Sequence, residues 1–159
     1  MAKAVITPDG DAVIPEVEIA APPERVFQAL VDEKKVMQWW TSDECQIESF
    51  SLEPRTGGRW IYNTKSSKLS VNGVSQFHCE GEILEYDPPH VLSYTWIANW
   101  HDRPVQRTVV RWEVAPSNGG TLVRVTHSGL AELPVARKDY FGGWPGVLAG
   151  LKHFVESQK

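Results

Sequence analysis

The side chains of this chain best equipped for chemistry are aromatic rings and imidazoles. Of sixteen aromatic residues, seven are Trp. Period-two spacing puts Leu92, Tyr94 and Trp96 on one strand face, and Trp112 between Val110 and Val114 on another. Trp39, Trp40, Trp60, Tyr62, Phe77 and Trp144 are spaced to complete a cleft between helices and sheet, with Leu148 on the same helical stripe as Trp144. Rigid rings offer large contact area at little entropic cost, and apolar pockets with a few polar anchors are the usual small-molecule sites. The same rings could equally fill a core, where Trp is commonly found.

His127 shares the parity of Val123 and Val125, so a regular strand points it inward. There it could anchor a ligand oxygen, act as acid or base, or sit as a satisfied core histidine. Tyr62, Tyr94 and Tyr140 carry the same ambiguity. Glu80, Glu82, Glu85 and Asp87 read as a solvated edge. The five histidines show no short ligand spacing and no HExxH motif, so no metal or cofactor is expected. Gly57-Gly58 and Gly119-Gly120 read as turns. Ser128 faces away from its neighbour His127, so the two make no nucleophile pair, and no catalytic residue is assigned.

The elements that must position these groups follow from periodicity. Val13, Val17 and Ile19 alternate with Glu16 and Glu18, a strand within Ala12 to Ala21. Pro23 opens a helix to Val31, and a second short helix spans Lys34 to Trp40. Turn chemistry then delimits six strands: Gln46 to Phe50, Gly58 to Lys65, Val74 to Tyr86, His90 to Trp100, Val105 to Ala115 and Thr121 to Ser128. The short loops favour an antiparallel meander, and Gly81 predicts a bulge or bend. Tyr140, Trp144, Val147, Leu148, Leu151, Phe154 and Val155 define a C-terminal helix. Pro145 suits its first turn, which predicts a start near Gly142. Gly142, Gly143, Gly146 and Gly150 leave space beside the rings or allow close packing.

The fold class expected is α+β, one domain over 1–159 with its core at about 13–156. A net charge of -4 with dispersed Lys and Arg offers no basic stripe for nucleic acid. No secretory signal and no span of roughly 20 apolar residues is present, which predicts a cytoplasmic protein without membrane contact. Cys45 and Cys79 lie in no ligand spacing and are expected reduced.

A resemblance joins these elements. Val17-Glu18-Ile19-Ala20-Ala21-Pro22-Pro23-Glu24-Arg25-Val26-Phe27, Trp39-Trp40, Gly57-Gly58, Gly81-Glu82-Ile83-Leu84-Glu85, Asp87-Pro88-Pro89, Tyr94-Thr95-Trp96, Thr126-His127-Ser128-Gly129 and Gly143-Trp144 stand in the order seen in the START-like (SRPBCC) superfamily. Within it the chain resembles homologues of the activator of heat shock protein 90 ATPase. The resemblance implies a helix-grip fold: a curved antiparallel sheet of about seven strands around a long C-terminal helix, with two short helices after the first strand.

It also implies a cavity for a small apolar ligand, in a carrier or stress-related binder of an aromatic, polyketide-like or lipidic molecule. A cavity enzyme of cyclase, dehydratase or hydrolase type, with His127 or a tyrosine as proton donor, is the alternative. A co-chaperone role ranks lowest, because the separate N-terminal domain of eukaryotic members has no room in these 159 residues. A homodimer through an apolar rim or the edge strand Gln46 to Phe50 stays open.

Overall fold

The computed structural model describes residues 2–103 and 106–158. Eleven elements follow in order: β1 (Lys3–Ile6), β2 (Val13–Ile19), α1 (Pro23–Val31), α2 (Glu33–Trp39), β3 (Ile47–Leu52), β4 (Arg59–Thr64), β5 (His78–Asp87), β6 (Val91–Ala98), β7 (Arg107–Ser117), β8 (Gly120–Ser128) and α3 (Pro134–Ser157). The strands form one antiparallel sheet in the order β1-β2-β8-β7-β6-β5-β4-β3. The meander β3 to β8 is antiparallel as expected, although the β4–β5 connection runs over residues 65–77, and β2 joins it by pairing with β8. β3 is an edge strand. The expected strand start at Val105 and the turn residue Pro104 lie outside the described residues.

The strand expected from Val74 begins only at His78, because Val74 pairs with Val71 in a local hairpin, and two larger features differ from the sequence expectation. β1 is an additional strand at the other edge, paired with β2, which makes eight. Its burial pattern is mostly exposed, so it carries no alternation by which to recognise it. The C-terminal helix begins at Pro134 rather than near Gly142, and Pro145 lies within it. Proline inside a helix strips an N–H from the carbonyl four residues back, here Phe141. Phe141 lies on the exposed side of the helix, at 42% exposure. The buried stripe Ala136, Tyr140, Trp144, Leu148, Leu151 and Val155 runs unbroken through the proline and holds the helix together.

Alternation drives the sheet. Val13, Val17 and Ile19 are buried on β2 while Glu18 is exposed, and on β7 Thr108, Val110, Trp112 and Val114 are buried. The opposite face carries charge pairs, among them Arg59 to Glu80 at 2.8 Å, Arg111 to Glu85 at 2.9 Å and Arg124 to Glu16 at 2.6 Å. The acidic run Glu80 to Asp87 therefore belongs largely to this outer face.

Gly81 is required by close approach: a Cβ there would lie 1.9 Å from the Thr95 carbonyl oxygen. Just beyond it, the β5–β6 register shifts between Ile83 and Glu85, a bulge of the kind that bends a strand. A second shift lies in β3 between Ile47 and Ser49. Gly150 allows α3 to close on α2, with its absent Cβ 3.3 Å from the Trp39 carbonyl oxygen.

Candidate functional site

The aromatic side chains form two layers. The deeper layer lies on the sheet: Trp60 stacks on Tyr94 with ring centroids 4.4 Å apart. Trp60 Nε1 donates to the Thr95 carbonyl at 2.8 Å, and Trp112 Nε1 donates to the Tyr94 hydroxyl at 2.9 Å. Burial holds the Tyr94 and Tyr62 hydroxyls well above the usual phenol range. Trp39 is fixed behind Trp40, stacked at 5.3 Å, with Nε1 donating to the Ala29 carbonyl at 2.7 Å. These rings are core.

The upper layer borders an open cleft of about 230 Å³. β4, β5 and β6 contribute Tyr62, Phe77 just ahead of β5, and Trp96. The end of α2 contributes Trp40, whose carbonyl accepts from the Tyr62 hydroxyl at 3.3 Å. α3 contributes Asp139, Tyr140, Gly143, Trp144 and Val147; Trp100 follows β6. The roof is the β4–β5 connection, which presents Leu69 and Val71. Around its tip Val71 and Val74 exchange backbone hydrogen bonds at 2.9 and 3.0 Å across Asn72 and Gly73, whose φ values are 51° and 84°. That is the Asn-Gly hairpin geometry in which positive φ is needed at both positions. Asn72 Nδ2 donates to the Trp100 carbonyl at 2.8 Å and to Asp139 Oδ2 at 3.1 Å, tying the hairpin to the β6–β7 turn and to α3.

A buried polar chain underlies the cleft. Thr108, across from Trp96 in the β6–β7 register, donates to the Trp96 carbonyl at 3.1 Å. Its Oγ1 is then the acceptor for His127 Nε2 at 2.8 Å, and Trp144 Nε1 donates to His127 Nδ1 at 3.1 Å. This assigns His127 the neutral tautomer with the proton on Nε2. Burial, with His101 nearby, pushes its pKa down to about 3. Tyr140 accepts from Trp96 Nε1 at 2.9 Å and meets His101 Nε2 at 2.7 Å. Burial raises the Tyr140 hydroxyl well above its ordinary value and lowers His101, against the pull of Asp102 and Asp139. Among the described residues His101 Nδ1 is buried without a partner.

Of the eleven side chains expected at the site, Trp40, Tyr62, Phe77, Trp96 and Trp144 line the cleft. Trp39, Trp60, Tyr94, Trp112, His127 and Leu148 lie behind them in the core. Leu69, Val71, Trp100, Asp139, Tyr140, Gly143 and Val147 line it in addition. Val71-Asn72-Gly73-Val74 was a readable hairpin signal, and Tyr140 and Val147 lie on the readable helical stripe. Leu69 and Asp139 carried none. Among the described residues no three His, Cys, Asp or Glu side chains gather as a metal site, and no helix is long and apolar enough to cross a membrane.

Known structures share the fold. A Mesorhizobium loti protein is 24% identical over 93% of this chain and 98% of its own, with a TM-score of 0.74. A Rhodobacter sphaeroides protein is 16% identical over 99% of this chain and 100% of its own, with a TM-score of 0.81. DynU16, a protein of the dynemicin biosynthetic locus, is 18% identical over 92% of this chain and 48% of its own, with a TM-score of 0.69. Among curated proteins none matches significantly. Residues 20–156, the whole span from the end of β2 through nearly all of α3, match the profile of the Activator of Hsp90 ATPase homolog 1-like proteins, and the chain belongs to that family.

Proposed function

We propose that this protein binds a small aromatic molecule in the cleft under the Asn72 hairpin, as a carrier or binding protein. The observation that supports this most is the makeup of the wall: seven of its twelve residues are aromatic, brought together from the end of α2, from β4, β6 and their flanking segments, and from α3. About 230 Å³ is below the roughly 300–1,000 Å³ of sites for drug-sized ligands, so the guest is one of few rings. The place of DynU16, a neighbour in fold, in a biosynthetic locus is in keeping with a small-molecule guest. Against the alternative of a cavity enzyme, His127 has both ring nitrogens engaged and lies behind the wall. That leaves it no free nitrogen with which to take or give a proton at a guest.

Gly143 supplies the test, because a Cβ built there meets nothing within 4 Å. Gly143→Leu should fold as the wild type while losing at least about tenfold in affinity, since it fills the space the guest needs. Trp fluorescence titration and thermal shift against a library of one- to three-ring compounds measure both. The reading fails if the wild type shows no saturable binding, or if the leucine variant binds equally well.

A further inference from the structure

Resting on the binding reading above, we infer that the guest carries a positive charge: an aromatic or polycyclic amine or quaternary ammonium, with its cation at the rim beside Asp139. Among the lining residues Asp139 is the single charged side chain, and none is Lys, Arg or His. It is half-buried at the cleft and makes no ion pair among the described residues, its one hydrogen bond coming from the neutral Asn72 amide. Two carboxylates, Asp102 and Asp139, are the charges that bear on His101 just behind the wall. Trp40, Trp96, Trp100, Tyr140 and Trp144 line the same cleft. Aromatic faces carry negative charge and attract a desolvated cation, most strongly when the ring is Trp, and a wall of this composition repels a carboxylate or phosphate guest. Rings alone accept any flat apolar molecule, so the carboxylate is what sets the preference.

Calorimetric titration of the full chain with three probes of one ring system tests this: naphthylmethyl-trimethylammonium, naphthylmethanol and naphthylacetate. The expected order is cation, then neutral, then anion, with the cation about tenfold tighter than the alcohol. Asp139→Asn should erase most of that margin while leaving the alcohol within about twofold, and Asp139→Glu should keep it. Equal or tighter binding of the alcohol, or equal weakening of all three probes by Asp139→Asn, overturns the charge preference and leaves the binding reading standing. Failure of all three probes to bind the wild type overturns both.

Discussion

At the scale of single residues, His127 shows how burial decides chemistry. Its native pKa of about 3 lies below its ordinary 6.5, so between those values the unfolded chain binds a proton that the native state refuses. Stability is therefore complete above pH 6.5 and declines as pH falls towards 3. At pH 5 the loss from this residue is about 2 kcal/mol, at roughly 1.4 kcal/mol per pH unit. Urea unfolding at pH 7 and pH 5 should show it, and His127→Gln should flatten the slope at the cost of lower stability at pH 7. His101 adds in the same direction. A variant slope equal to the wild type's would assign the acid sensitivity elsewhere. The inward direction of His127 was legible from its parity with Val123 and Val125; its partners were not, because Thr108 and Trp144 reach it from β7 and α3, elements distant in sequence. The same limit governs the rings. Period two correctly set Tyr94, Trp96 and Trp112 on the inner face, but parity specifies a face and not a depth, and only α3 and the hairpin decide which ring borders the cleft.

At the scale of elements, α3 is governed by its small and irregular residues. Gly142 and Gly146 stand in open space inside a helix, where glycine costs roughly 0.5–1 kcal/mol relative to alanine. Gly142→Ala and Gly146→Ala should each raise stability by about that amount, read as an increased denaturation midpoint at unchanged slope. Gly81→Ala should do the reverse and cost several times more, because its methyl would overlap the Thr95 carbonyl oxygen. Both strands that flank this contact were legible in the sequence, and the glycine marked the irregularity. The helix start was not legible, because a local rule about Pro145 competed with a stripe that already included Tyr140. Tertiary burial of that stripe prevailed over the local rule.

At the scale of the whole molecule, the indoles gather around one core spanning both ends of the sheet and all three helices. A single core predicts a single transition: unfolding followed by Trp fluorescence and by far-UV circular dichroism should give coincident curves. Separated midpoints would divide 1–159 into independent units. Fold class was the most legible property, since it depends only on the order of periodicities, whereas the cleft depends on how the β4–β5 connection lies over the finished sheet. That connection has a kinetic meaning. Asn72 Nδ2 holds the hairpin to Trp100 and to Asp139, so Asn72→Gly, which keeps the positive φ that position needs, should loosen the roof and speed departure of the guest more than its arrival. Stopped-flow traces would then record a shorter residence time together with weaker binding, and an unchanged departure rate would show that the hairpin does not retain the guest.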